Sequence, residues 1–173
     1  MKIGVVGGGV WGSALARLLS NNNVNLFARD SKVVNSINEH HFNPNLKYAT
    51  FNDNVVATTD FNLINEMDYV FITLPTQSIR GVLSSIKLKN DKQEIVIASK
   101  GIEIDSKLLL SEVIKSVTKS KKISILSGPS FSNEVAQNLP TAVTFASANK
   151  ENFENAVKLF SNRNFRIYYS NDL

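Results

Sequence analysis

Six residues near the N-terminus, Gly7-Gly8-Gly9-Val10-Trp11-Gly12, have the types and spacing to hold a phosphate. They satisfy G-x-G-x-x-G, a pattern that carries weight only where it follows a strand and opens a helix. Here the apolar run Lys2–Gly7 precedes it, and Leu15, Leu18 and Leu19 form a stripe at helical spacing behind it. Each glycine then has a task. Gly7 makes the tight turn, Gly9 lets the backbone approach a pyrophosphate, and Gly12 lets the helix pack on the strand. Val10 and Trp11 open the helix, whose first N–H groups lack partners within it and face the anion, aided by the helix dipole.

In a dinucleotide site the next informative position lies about 20 residues on, where a carboxylate would take the ribose hydroxyls of NAD. The sequence there is Phe27-Ala28-Arg29-Asp30. Ala28 stands where the acid would, and Arg29 brings a guanidinium that can grip a 2′-phosphate with two hydrogen bonds. NADP is therefore preferred over NAD. Asp30 has two readings, a ribose partner or a cap for a helix starting at Ser31.

Two further groups sit where open α/β sheets gather ligands, at the C-terminal ends of strands. Lys100 leaves a buried strand, and its ammonium can hydrogen-bond a substrate oxygen and steady negative charge there. Gly128 and Ser130 end another strand and begin a helix; the backbone offers N–H groups, and the Ser130 hydroxyl can cap that helix or bind substrate. Arg80 has two open readings, facing the same cleft or facing solvent. His40 and His41 have no partners at metal-ligand spacing and read as surface residues; no metal site is expected.

The elements that must position these residues follow from the hydrophobic pattern. Strands are predicted at Lys2–Gly7, Val24–Ala28, Val55–Thr58, Tyr69–Leu74, Glu94–Ser99, Lys122–Ser127, Thr141–Ala146 and Phe165–Tyr169. Helices are predicted at Trp11–Ser20, Ser31–Glu39, Thr76–Ile86, Lys107–Lys119, Phe131–Asn138 and Glu151–Ser161. Runs such as YVFITL and EIVIAS are apolar throughout, as in strands covered on both faces. The alternation means βαβ units, hence an α/β fold with a mostly parallel sheet and helices on both faces; the last third could add a more mixed sheet edge. The polar stretch Asn43–Asn54 carries no assignment.

Composition agrees with this picture. The chain has 173 residues, 43% apolar and 20% charged, which suits one domain of ordinary size. It has no cysteine, so no disulfide framework and no thiol zinc site, as is consistent with the cytosol. The formal charge of +4 is scattered; the cluster Lys119, Lys121 and Lys122 reads as a solvated face, and no nucleic-acid partner is expected. No apolar run approaches the roughly 18 residues of a membrane span.

Several segments together resemble one family. Gly7–Gly12 with Ser13-Ala14-Leu15-Ala16, Leu74-Pro75-Thr76-Gln77-Ser78-Ile79-Arg80, Ser99-Lys100-Gly101-Ile102-Glu103 and Ser127-Gly128-Pro129-Ser130-Phe131 are similar, in order and spacing, to bacterial glycerol-3-phosphate dehydrogenases. The resemblance covers essentially the whole chain. It implies a Rossmann-like NAD(P)-binding domain, 1–173, as the N-terminal half of an enzyme whose helical C-terminal domain lies beyond Leu173. It implies cofactor contacts at Gly7, Gly9, Val10, Trp11, Gly12, Arg29, Lys100 and Ser132, and substrate contacts at Lys100, Gly128 and Ser130. Ser132 stands where the family usually has alanine, and Phe27 where it commonly has tryptophan. The implied reaction is reduction of dihydroxyacetone phosphate to sn-glycerol 3-phosphate for phospholipid synthesis, by a cytoplasmic homodimer formed through the second domain. The proton-transfer lysine is assigned to that domain, so no catalytic residue is expected among these 173. Alternatives are another two-domain dehydrogenase, of the 6-phosphogluconate, 3-hydroxyacid or ketopantoate type, or a non-catalytic NAD(P)H-binding module.

Overall fold

The computed structural model describes residues 1–47, 49–86, 88 and 91–173; Tyr48, within the unassigned Asn43–Asn54 stretch, lies outside them. Eight strands form one sheet: β1 Lys2–Val6, β2 Asn23–Phe27, β3 Val55–Thr58, β4 Tyr69–Ile72, β5 Glu94–Ile97, β6 Lys122–Ser127, β7 Thr141–Ser147 and β8 Phe165–Ser170. Their spatial order is β3-β2-β1-β4-β5-β6-β7-β8. Strands β1 to β6 run parallel, β7 pairs antiparallel with β6, and β8 runs parallel to β7. The mixed edge expected of the last third is present.

The central strands are buried almost throughout, on both faces. Ile3, Val5, Phe71 and Val96 join one hydrophobic cluster with helices α1 Val10–Leu18, α2 Ser31–His40, α5 Ser132–Ala136 and α6 Lys150–Phe160. Val6, Val70, Ile72, Ile95 and Ile97 join a second cluster, with α3 Ile79–Ile86 and α4 Leu110–Val117. Successive strand residues point to opposite faces, so the two clusters lie on opposite sides of the sheet. The result is a Rossmann-like doubly wound sheet. Among the described residues, no helix is long and apolar enough to cross a membrane.

The structure departs from the sequence reading in several places. The helix expected from Lys107 begins only at Leu110, because Lys107 adopts φ 60°. The carboxylate of Glu112 accepts the Leu109 N–H and fixes the later start. The helix expected at Phe131–Asn138 is shorter and stops before Asn138, at φ 59°. A 3-10 turn at Phe61–Glu66 was not foreseen; the Asp60 side chain caps it by accepting the Asn62 N–H. The polar stretch after Asn43 buries Asn43, Leu46, Ala49 and Phe51.

Candidate functional site

In the strand order, chain neighbours part on either side of β1, and the crevice at the carboxyl ends of β1 and β4 is where such sheets bind ligands. A cleft of about 510 Å³ lies there. It is lined by Gly7, Gly8, Gly9, Val10 and Trp11 from the turn into α1, by Phe27, Ala28 and Arg29 from the end of β2, and by Phe61. Thr73, Leu74, Pro75, Ala98, Ser99, Lys100, Ser130 and Ser132 complete it.

The glycines differ in what surrounds them. Gly7 has φ 127°, a conformation that glycine adopts without strain. A Cβ on Gly12 would overlap the Gly7 carbonyl oxygen and lie 2.6 Å from Thr73 Oγ1, so Gly12 sits behind the cleft and lets α1 seat against β1. Gly9 is the opposite case: a Cβ there would meet nothing within 4 Å. Glycine at that position is unnecessary for packing and leaves open space at the helix start, which is where a pyrophosphate would sit. The residues present therefore fit a dinucleotide's phosphates.

Trp11 is half-buried against the core, and its indole N–H donates to the Ala98 carbonyl at 3.0 Å. It both anchors the helix and lines the cleft, and it ties α1 to the strand leading into Lys100. Arg29 is exposed at the cleft rim. Asp30 is taken by capping: its Oδ1 accepts the Lys32 N–H at 2.9 Å at the start of α2.

Lys100 is exposed and lies between two hollows, because it also lines a second depression with Gly101, Leu109, Ser127 and Gly128. Gly128 thus belongs to the second hollow and Ser130 to the first. Gly128 has φ 153°, and a Cβ there would come 3.0 Å from Val143 Cα. Ser130 does not cap α5, as Phe131 occupies the N-cap position and no side chain caps it.

The segment carrying Lys100 is held from the 3-10 turn Thr76–Ser78 that leads into α3, where the sequence reading expected α-helix. The Thr76 hydroxyl donates to the Lys100 carbonyl, and the Gln77 amide donates to Ile102 O at 2.9 Å and accepts from Ile104 N at 2.9 Å. Ser99 Oγ donates to Leu74 O at 2.7 Å. Arg80 does not line the cleft; its side chain is partly exposed and its guanidinium is paired. Its Nε donates to Glu103 Oε1 at 2.9 Å, its second terminal nitrogen to Oε2 at 2.7 Å, and its first to Ser116 Oγ at 2.9 Å. This bidentate pair, with the Ser106 hydroxyl, holds the Glu103 carboxyl below the usual carboxylate range and raises the Arg80 guanidinium.

Sequence reasoning missed three residues that shape the cleft. Thr73 donates to Val6 O at 2.9 Å and packs behind Gly7 and Gly12; its place at the end of the strand beside β1 was a usable signal. Phe61 lies on the unforeseen turn, its ring 5.7 Å from that of Phe27. Asn43 lies in the unassigned stretch and reaches Gly8. Among the described residues, no group of three His, Cys, Asp or Glu side chains is placed to hold a metal ion.

Comparison with known proteins agrees with this geometry. A family model described as NAD-dependent glycerol-3-phosphate dehydrogenase N-terminus matches residues 2–153. The chain is 38% identical to glycerol-3-phosphate dehydrogenase [NAD(P)+] of Erythrobacter litoralis, over 99% of this chain and 52% of that protein. It is 35% identical to the enzyme of the same name from Neorickettsia sennetsu, over 98% of this chain and 52% of that one. A crystal structure of glycerol-3-phosphate dehydrogenase from Coxiella burnetii superposes with a TM-score of 0.92 at 30% identity, covering 99% of this chain and 54% of that one. The chain thus spans about half the length of the curated relatives it matches. With the glycine cradle, the sheet order and the matched sequence in agreement, the chain belongs to the NAD-dependent glycerol-3-phosphate dehydrogenase family, in its N-terminal region.

Proposed function

We propose that this chain binds NAD(P)H, with NADPH preferred, and supplies part of the substrate site of a glycerol-3-phosphate dehydrogenase that reduces dihydroxyacetone phosphate to sn-glycerol 3-phosphate. The observation that carries the reading is the open position at Gly9 between two glycines whose side chains packing or backbone conformation forbids. When bound, the nicotinamide supplies the hydride that reduces the ketone.

The chain's residues bind and orient. N–H groups at the start of α1 take the pyrophosphate. Arg29 grips the 2′-phosphate, and Asp30, already capping α2, leaves the ribose without a carboxylate from this position. Lys100, standing between the two hollows, contacts the nicotinamide side and hydrogen-bonds the substrate oxygen, whose negative charge its ammonium steadies. Gly128 and Ser130 hold the substrate, and Ser132 contacts the cofactor through its backbone. The product alkoxide takes its proton from a lysine outside these 173 residues, and Lys100 is not given that role. The family resemblance extends the reading to a cytoplasmic homodimer.

The test is a comparison of the 173-residue chain with the enzyme extended to the length of its relatives. The chain alone should bind NADPH without oxidising it when dihydroxyacetone phosphate is added, and the longer enzyme should oxidise it. Substrate-dependent oxidation by the chain alone would refute the assignment of proton transfer; a longer enzyme inert toward this substrate would refute the activity.

A further inference from the structure

We propose that Asn43 is a positioning residue of the cradle, aiming the Gly9 N–H at the pyrophosphate by holding the Gly8 carbonyl from behind. The proposal rests on the reading of the cleft as a dinucleotide site.

Asn43 is fully buried. Its amide nitrogen donates to the Gly8 carbonyl at 3.1 Å and to the Ser13 hydroxyl at 2.6 Å, and its Oδ1 accepts the Asn45 N–H at 2.9 Å. The orientation of the amide is not arbitrary. A carbonyl only accepts, so the nitrogen must face Gly8, and the two N–H groups of the amide account for its two acceptors. Ser13 is also fully buried, so its hydroxyl has no water to turn to if the bond from Asn43 is lost. Asn43 is itself fixed by a local turn, its carbonyl accepting the N–H of the buried Leu46 at 2.9 Å.

The consequence for the cleft follows from the planarity of the peptide. Among the described residues every peptide bond is trans, and in a trans peptide the N–H points opposite to the C=O. A Gly8 carbonyl drawn inward to Asn43 therefore turns the Gly9 N–H outward, on the side where Gly7, Gly8 and Gly9 line the cleft. This peptide needs such a tie because both its residues are glycine. The absence of side chains that admits the pyrophosphate also leaves the peptide plane free to rotate. The next peptide has its own restraint, since Gly9 O accepts the Ser13 N–H at 3.0 Å within α1. Without Asn43, phosphate binding must first select one orientation of the Gly8–Gly9 peptide, and affinity falls by the fraction of molecules not already in it.

The experiment is titration of the wild-type chain and Asn43→Ala with ADP-ribose and with NADPH, together with the Gly9 amide resonance in a 15N-labelled sample. Both ligands should bind the variant about tenfold more weakly, the loss expected for one hydrogen bond no longer pre-set. ADP-ribose should shift the Gly9 amide strongly in the wild type and weakly in the variant. If the alanine variant does not fold, Asn43→Leu serves: it keeps the volume but has no donor for Gly8. A folded variant that is less stable yet binds both ligands within about twofold of wild type, with the Gly9 shift retained, would make Asn43 merely structural and overturn the proposal. A wild-type chain that binds neither ligand would overturn the cofactor reading and this proposal with it. Binding by the wild type and equal binding by the variant defeats the role of Asn43 alone.

Discussion

The two flanks of the cleft are built from different materials. On the α1 flank the contacts come from main chain: three consecutive glycines, the open helix start and a peptide held from behind. The Lys100 flank adds side chains, those of Lys100 and Ser130, and its segment is fastened by Thr76, Gln77 and the Arg80–Glu103 pair. Trp11 joins the two through Ala98. A backbone site is indifferent to the charge of its side chains and intolerant of added volume. A side-chain site held by an ion pair is sensitive to pH and to loss of either partner. The flank proposed for pyrophosphate, Gly7 to Trp11, has no titratable side chain of its own, whereas the flank proposed for substrate carries Lys100.

The largest effect should come from adding volume to the backbone flank. Gly9→Val should weaken NADPH by more than about a hundredfold, since a branched side chain fills the space left for the phosphates. Its φ of −76° is open to any residue and its Cβ meets nothing, so folding stability should change by no more than about 1 kcal/mol. Gly12→Ala should do the reverse to the fold, costing about 2 kcal/mol or more because its Cβ runs into the Gly7 carbonyl. Calorimetry and thermal melts of the two variants separate the glycine that makes space from the glycine that permits packing. Equal stability losses would erase that distinction.

A smaller effect is expected at the rim. Arg29→Ala should weaken NADPH by about ten- to a hundredfold, the value of a charge-assisted bidentate contact of about 1.5–3 kcal/mol, and should leave NADH almost unchanged. The NADPH loss should shrink as salt rises. Equal losses for the two cofactors would end the preference for NADP while leaving the cradle intact.

The smallest effect concerns the other flank and depends on pH. Because Arg80 holds the folded Glu103 carboxyl below its ordinary value, the pair stabilises the fold at neutral pH, and that contribution is lost as pH falls through the folded value. Glu103→Gln should therefore melt below the wild type near neutrality, with the gap closing in acid. A gap that stays constant with pH would mean that the pair acts through shape rather than charge.

The order of elements was legible because their signals are local. All eight strands and the starts of α1 and α2 follow from apolar runs and from the glycine fingerprint. Local pattern also located the cradle, since its chemistry belongs to six consecutive residues. What escaped was set by contacts distant in sequence. Arg80 reads equally as a cleft or surface residue until the fold brings Glu103 beside it, 23 positions away. Asn43 reads as loop polarity, yet it is buried because its amide meets Gly8, 35 positions away. Lys107 falls within a run of helical periodicity, which does not reveal a residue at positive φ.

The central claim, that the open position at Gly9 is a pyrophosphate site, is tested most directly by calorimetric titration of the 173-residue chain with NADPH and with NADH. Saturable binding of one equivalent of each is expected, tighter for NADPH, and it should disappear in Gly9→Val while the variant still melts cooperatively. Undiminished binding of NADPH by a folded Gly9→Val chain would contradict it, because the phosphates would then have to lie elsewhere.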